Sequence, residues 1–111
     1  MYHRSMHGAV HVIRGDEPLT ESSVDELQEI ATSLLDSGQP FSVLDMSEIK
    51  LMDSAGLESI IEIRQQFTQR GGSLKLACPV PLCRNIMHVT GVEDEFEIFS
   101  RLSEAVGSFL R

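Results

Sequence analysis

The sequence predicts an α/β domain with a mixed or parallel sheet of about four to five strands and about four helices. Two observations support this. Short apolar runs of strand length alternate along the chain with segments whose apolar residues recur every three or four positions. The run FSVLDM, residues 41–46, is compact and apolar, which is typical of a strand buried on both faces. Right-handed crossovers then place helices against the sheet.

The first third of the chain predicts one strand and one helix. We expect residues 1–7 to be a mobile lead-in and residues 8–111 to form a single domain, which begins with a strand at residues 8–14. Residues 15–23 form a turn rich in breakers, and Ser23 with Glu26 matches a capping box. The helix that follows has one apolar stripe and ends at Gly38: Val24, Leu27, Ile30, Ala31, Leu34 and Leu35.

The rest of the chain repeats the alternation. A helix follows the DSAGL motif, residues 53–57, and ends at Gly71-Gly72, and residues 73–78 read as the next strand. A short helix then begins at PVPLC, and residues 95–99 form the last strand, after which Ser100 caps a final helix. We expect the short helix to be buried along Leu82, Ile86 and Val89, and the final one to carry Leu102, Val106 and Phe109.

Composition excludes several classes of function. Seventeen acidic residues against nine scattered basic ones give a net charge of −8, which is a poor footprint for nucleic acid and favours basic protein partners. No apolar run approaches the roughly 18 residues that span a bilayer, so we expect no direct membrane insertion. Two cysteines and no signal-like segment indicate a reducing, cytoplasmic setting.

The other reactive side chains do not form a recognisable catalytic or metal motif. His3, His7 and His11 are four apart and could align toward a metal, but a terminal tail is the simpler interpretation, so we predict no metal site. DSAGL lacks the G-x-S-x-G elbow of serine hydrolases, and no Gly-rich phosphate loop is present. Cys78 and Cys83 match neither a redox pair nor half of a zinc site. We therefore predict a protein that is not an enzyme and needs no cofactor.

The DSAGL motif itself leaves two questions open. Either Asp53 or Ser54 can cap the helix that begins there. Gly56 lies in the first helical turn, where glycine costs about 1 kcal/mol relative to alanine. Its presence indicates that something approaches the backbone closely, and this is either a partner or the sheet on which the helix packs.

Three stretches together resemble a known family. VLDMSEIKLMDSAGL, RQQFTQRGGSLKLACP and RNIMHVTGVEDEFEIF resemble the STAS domain of bacterial anti-sigma factor antagonists. That family has a D-[ST]-x-G-[LI] loop between a strand and a helix, R-G-G before a strand, and a T-G-[LV] turn before the final strand. The resemblance covers residues 41–106. The first third departs from it, since the family opens with two strands and a G-E-[LIV]-D turn where this chain has GDEPLT.

The resemblance implies a binding switch. In that family the unphosphorylated loop serine docks on an anti-sigma factor of the histidine-kinase-like ATPase fold and frees the sigma factor. The same kinase phosphorylates the serine, and a PP2C-type phosphatase resets it. By position, the phosphorylated residue here is Ser54. The docking surface is the loop together with the exposed side of the next helix: Asp53, Ser54, Ala55, Gly56, Leu57, Glu58, Ser59 and Glu62.

The size of the effect and the alternatives can be stated from the sequence. A phosphate on Ser54 adds about −1.5 to −2 charges beside Asp53. Like charges about 6 Å apart at an interface cost roughly 1 to 3 kcal/mol, or about tenfold to hundredfold in affinity. One alternative is the STAS subunit that braces the ATPase of a lipid-transport ABC machine, which predicts constant association with a membrane-bound ATPase. The other is a subunit of a larger stress-signalling assembly.

Overall fold

The computed structural model describes residues 1–38 and 40–110, and within them it confirms an α/β fold with a mixed sheet. The strands lie in the order β1-β2-β3-β4-β5. They are β1 (Tyr2–His7), β2 (Val10–Gly15), β3 (Phe41–Asp45), β4 (Ser73–Ala77) and β5 (Ile98–Phe99). The helices are α1 (Val24–Asp36), α2 (Ser54–Gln69), α3 (Pro81–Val89) and α4 (Leu102–Gly107), with short 3-10 turns at Val92–Glu95 and Ser108–Leu110.

Strand β1 replaces the lead-in that we expected at residues 1–7. It pairs antiparallel with β2 from Tyr2 opposite Gly15 to His7 opposite Val10, so only Gly8 and Ala9 connect the two strands. Gly8 has a φ of 64°, and glycine at the first position of a two-residue loop is the pattern of a type II′ turn. The buried Tyr2 ring covers Gly15, whose absent side chain leaves room for it. Pairing and this aromatic cover hold the segment in the sheet.

The remaining strand pairs are parallel, and β3 lies at the centre of the sheet. Its Val43 and Leu44 are both fully buried, one on each face, which confirms the prediction from the apolar run. Strand β5 is shorter than the predicted strand at residues 95–99, because the chain first makes the 3-10 turn Val92–Glu95.

The two faces of the sheet carry different layers. The larger core lies between the sheet and helices α1, α2 and α3, and Leu44, Leu76 and Phe67 are among its fully buried members. The smaller core lies on the opposite face, where Ala105 of α4 packs with Val43 and Ala77. The apolar stripe predicted for α1 faces the larger core, with Leu27, Ala31 and Leu34 buried.

The capping box predicted at Ser23 is absent from the described structure. Ser23 precedes α1, but its hydroxyl makes no capping bond. It donates instead to the Pro18 carbonyl at 2.7 Å and accepts from the Thr20 N–H at 3.0 Å. Glu26 accepts a bond from the Tyr2 N–H at 2.6 Å. The Ser23 hydroxyl therefore stabilises the loop at residues 16–23, and the Glu26 carboxylate binds strand β1. These bonds form in place of the capping box.

The buried face predicted for α3 is correct only at Ile86, which is partly buried and packs against the larger core. Leu82 and Val89 are 51% and 71% exposed, whereas Cys83 and Met87 are fully buried. The Cys83 thiol donates to the Ile49 carbonyl at 3.3 Å, which fixes the rotation of the helix. Two apolar stripes lie side by side on α3, and the hydrophobic pattern alone does not tell which one faces the core.

The corrected rotation of α3 predicts opposite outcomes for two substitutions. Met87→Ala leaves a cavity in the core and should lower the free energy of unfolding by about 2 to 5 kcal/mol. Val89→Ala, on the exposed stripe, should change it by no more than about 0.5 kcal/mol. Urea titration followed by circular dichroism measures both. Equal losses for the two variants would contradict the rotation seen in the structure, and a larger loss for Val89→Ala would restore the original prediction.

Candidate functional site

The DSAGL motif lies at the carboxyl edge of the sheet, where the sequence predicted it. The chain leaves β3 at Asp45 and reaches α2 through residues 46–53. The end of this loop pairs with the loop at residues 16–23. The Leu19 N–H donates to the Leu51 carbonyl at 2.9 Å, and the Asp53 N–H donates to the Leu19 carbonyl at 3.3 Å. Leu19 is fully buried, so the two loops form one packed unit at the start of α2.

Asp53, rather than Ser54, caps helix α2. Its Oδ1 accepts from the Gly56 N–H at 2.9 Å, and its Oδ2 accepts from the Glu21 N–H at 3.1 Å. The bond from Gly56, helped by the one from Glu21, stabilises the ionised carboxylate and holds the pKa of Asp53 below its usual value. One side chain thus closes the helix end and ties it to the neighbouring loop.

The hydroxyl of Ser54 is left uncommitted. Ser54 is the first residue of α2 and is exposed, and its side chain makes no hydrogen bond to any residue that the structure describes. It stands beside the unpaired N–H groups and the positive end of the helix dipole. A hydroxyl in this position is accessible to a modifying enzyme, and the helix terminus stabilises an anion placed on it.

Gly56 is required by packing within the domain. It is buried, and a Cβ built on it would overlap the Leu19 carbonyl oxygen and lie 3.0 Å from the Leu19 carbonyl carbon. Of the two readings that the sequence left open, close packing is the one seen, although against the loop at residues 16–23 and not against the sheet. The motif glycine therefore lets α2 and this loop touch.

The accessible surface around Ser54 is smaller than we expected. Ala55 is partly exposed, and Glu58 and Glu62 are exposed, in agreement with the prediction. Leu57 joins the main core, and Ser59, predicted on the exposed side of α2, is only 7% exposed. Ser59 is buried because helix α1 packs against α2.

Two features of the surface around Ser54, an exposed leucine and a groove, were not predicted from the sequence. Leu51, three residues before Ser54, is 45% exposed and adds an apolar side chain to the surface. On the other side, Asp25 and Gln28 of α1 line a groove together with residues of α2. An exposed leucine in a loop carries no recognisable pattern, and the groove depends on how two helices pack, which no local motif reports.

The three N-terminal histidines do not face a common point. His3 and His7 lie on one face of β1, and the His3 ring bonds Asp16 at 2.8 Å. His11 pairs with Met6, so it lies on the opposite face of the hairpin. There, desolvation, with a contribution from Arg4, lowers the pKa of His11. Within residues 1–38 and 40–110, no three side chains of metal-binding type converge.

Comparison with known proteins identifies the family of this chain. Residues 5–105 match the STAS domain family. The chain belongs to that family. The search of curated protein sequences gave no match. None of the helices in the described residues is both long enough and apolar enough to cross a membrane.

Solved structures share the fold of this STAS domain at low sequence identity. A putative anti-sigma factor antagonist from Thermotoga maritima has a TM-score of 0.91 at 19% identity, covering 99% of this chain and 95% of its own. The anti-sigma factor antagonist SpoIIAA in its unphosphorylated form has a TM-score of 0.82 at 18% identity, covering 98% and 96%. The murine anion transporter Slc26a9 matches at 0.78 and 18% identity over 92% of this chain, but only 18% of the transporter is covered.

The contact at Gly56 yields a test with a matched control. Glycine to alanine inside a helix normally stabilises by about 0.5 to 1 kcal/mol. At Gly56 the added methyl group meets a backbone carbonyl that cannot move freely, so Gly56→Ala should destabilise by about 1 to 3 kcal/mol. Gly107→Ala, in α4 with nothing within 4 Å of the new Cβ, should be neutral or stabilising. Thermal unfolding of both variants checks the contrast, and a stabilised Gly56→Ala would contradict it.

The cap at Asp53 predicts a pH-dependent contribution to stability. Because its folded pKa lies below the usual 3.8, the ionised carboxylate stabilises the fold above that pH and loses this effect as the pH falls through the folded value. Asp53→Asn keeps an acceptor but cannot ionise. The stability difference between wild type and Asp53→Asn should be constant near neutral pH and shrink below about pH 3.8. Urea titrations at several pH values measure it, and a difference that does not change with pH would refute the role of the charge.

Proposed function

We propose that this STAS domain is an anti-sigma factor antagonist whose partner docks at the start of α2 and leaves when Ser54 is phosphorylated. The observation that carries the proposal is the exposed hydroxyl of Ser54, which has no hydrogen-bond partner among the described residues, beside Asp53, which already caps the helix. A serine needed for capping would couple modification to loss of structure. Here the fold does not depend on the hydroxyl, so modification can change binding alone.

The partner that we propose is an anti-sigma factor with a histidine-kinase-like ATPase fold. It both binds the domain and phosphorylates Ser54, and a PP2C-type phosphatase restores the binding form. These events take place in the cytoplasm. Support comes from the fold shared with proteins named as anti-sigma factor antagonists, one of them solved in phosphorylated and unphosphorylated forms.

A phosphate on Ser54 would act at the interface and leave the fold in place. The exposed position gives it room, and the helix terminus stabilises it in the free domain. When a partner covers this position, the phosphate must lose its water or meet the partner's atoms, and both effects oppose binding. A penalty of about 1 to 3 kcal/mol weakens the complex by about tenfold to hundredfold.

A second candidate function is a fixed structural contact within a membrane transport assembly. The match to part of an anion transporter favours it, because there the same fold is a fraction of a larger chain. In that role the start of α2 would touch its partner permanently. Binding would then be insensitive to the charge at residue 54.

Capture of the partner with Ser54 variants distinguishes the two functions. Wild type, Ser54→Ala and Ser54→Asp are used as bait in host lysate with ADP. The control is Ser103→Asp, which adds a charge in the first turn of α4 on the opposite face. We expect a soluble ATPase to be retained by wild type, Ser54→Ala and Ser103→Asp, and its affinity for Ser54→Asp to fall about tenfold to hundredfold.

Two further readouts complete this test. The purified ATPase with ATP should add a single phosphate to wild type and none to Ser54→Ala, as mass spectrometry of the intact protein would show. If all the baits hold the same membrane-bound ATPase, the fixed structural contact is correct. If a soluble ATPase binds but Ser54→Asp leaves its affinity unchanged, the phosphorylation switch is wrong.

A further inference from the structure

Strand β1 forms one edge of the sheet, and about half of its backbone groups point away from β2. β1 lies at one end of the strand order and pairs with β2 alone. The Asp16 N–H donates to the Met1 carbonyl at 3.1 Å, so these two residues are a hydrogen-bonded pair. Such pairs alternate with non-bonded ones along an antiparallel ladder. The backbone groups of Tyr2, Arg4 and Met6 therefore point outward.

The outward edge is open at Arg4 and Met6. The Tyr2 N–H donates to Glu26 at 2.6 Å, which agrees with the alternation and closes that end of the edge. In the part of the chain that the structure describes, nothing bonds the backbone of Arg4 or Met6 on this side. Natural proteins protect an open edge with a proline, a bulge, lysines or a very short strand. β1 has six residues in unbroken register and contains neither proline nor lysine.

The hairpin of β1 and β2 carries positive charge on a domain that is otherwise acidic. Residues 1–15 contain two arginines and no acidic residue. All 17 acidic residues come later in the chain, where the other seven basic residues leave a net charge of −10. Arg14 is paired with Glu48, whereas Arg4 forms no ion pair with any described residue. The Arg4 guanidinium bonds the Ser33 hydroxyl at 3.3 Å, which leaves most of its five donors available.

The two faces of β1 offer different surroundings to a neighbouring strand. Arg4 is opposite Ile13 of the larger core, so its side chain lies on the face that α1 covers. His7 is opposite Val10 of the smaller core and lies on the face of α4. There, His7 borders a pocket of about 370 Å³ that α4 lines mainly with apolar side chains, among them Leu102, Val106 and Leu110. A strand added at this edge meets a cation on one face and an apolar pocket on the other.

We propose that the β1 edge binds an extended segment of a partner protein in which acidic and apolar residues alternate. The segment adds to the sheet as a sixth strand, and its backbone bonds the outward groups of Arg4 and Met6. Its acidic side chains share a face with Arg4 and its apolar ones share a face with His7, because side chains alternate along a strand. The acidic remainder of the domain repels such a segment and confines it to the hairpin.

Charge and geometry favour a protein segment over other ligands of basic surfaces. Two arginines on a domain of net charge −8 attract an anionic membrane or DNA weakly, because affinity for both grows with the number of basic residues in contact. Neither ligand presents a row of N–H and C=O groups that could pair with a strand. A second copy of β1 would bring two basic strands side by side, which like charges oppose.

A designed peptide tests the β1 edge. The probe is a heptapeptide, blocked at both ends, in which valine alternates with three glutamates, and the control peptide has glutamine in place of glutamate. Both carry the same polyethylene glycol tail for solubility, and each is titrated into ¹⁵N-labelled protein. We expect saturable amide shifts centred on Arg4 and Met6, with the glutamine peptide about two- to fivefold weaker, as for one exposed ion pair. Binding centred elsewhere, or no saturation, would overturn the proposal.

Two arginine variants assign the acidic face of the segment. In Arg4→Gln, the glutamate and glutamine peptides should bind equally well. The matched control is Arg14→Gln, which removes the same charge from β2, where the side chain is already paired with Glu48. This variant should keep the two- to fivefold preference for glutamate, since coupling is specific to groups in contact. A preference that survives Arg4→Gln would refute the contact between Arg4 and an acidic residue.

Backbone methylation tests strand addition itself. Only every second amide of an added strand faces β1. Methylating the glutamate amides in one peptide and the valine amides in another should therefore abolish binding of one and spare the other. Met6→Pro removes an outward N–H and leaves the ladder with β2 intact, so it should weaken binding at least about fivefold. If both methylated peptides bind as tightly as the unmethylated one, strand addition is wrong, whether or not Met6→Pro folds.

Vesicles that contain phosphatidylserine provide the last arm of the test. We expect them not to bind the protein, and vesicle binding that Arg4→Gln abolishes would overturn the proposal in favour of a membrane contact. The β1 edge shares no residue with the site at the start of α2. Its failure therefore leaves the proposed function standing, and a failure of the Ser54 switch leaves the β1 edge standing.

Discussion

The contact between Gly56 and the Leu19 carbonyl is the constraint on which the rest of the site depends. Because no side chain separates them, α2 begins directly against the loop at residues 16–23. That closeness brings the Glu21 N–H within reach of Asp53, so one carboxylate bonds two chain segments. Asp53 caps the helix, and the Ser54 hydroxyl bonds none of the residues at 1–38 and 40–110.

Much of the fold could be predicted because its signals are local. The apolar run of β3, the stripe of α1 and the glycine that ends it depend only on periodicity and turn chemistry, and the structure confirms them. Strand β1 was missed because its turn, Gly8-Ala9, is not among the strongest hairpin signals and most of its residues are polar. The rotation of α3 was missed because it is set by Cys83 and Ile49, which are far apart in sequence.

In the candidate site, too, the features set by local sequence could be predicted and those set by distant contacts could not. Its position at the carboxyl edge followed from the order of strand and motif. Whether Asp53 or Ser54 caps, and what lies against Gly56, could not be decided, since both answers involve residues 19–21, more than thirty positions away. The groove lined by Asp25 and Gln28 could not be predicted either, because it depends on how α1 packs against α2. Local sequence identifies the motif, and tertiary packing decides which of its atoms are free to act.

The buried thiol of Cys83 has a practical consequence. Its bond to the Ile49 carbonyl links α3 to the loop that leads into Ser54 and Asp53, and the side chain is fully buried. A thiol reagent can reach it only when that junction opens, because reactivity requires access. In a Cys78→Ser variant, the rate of Cys83 alkylation would therefore report how often this junction opens. The measurement needs no label on the loop or on Ser54.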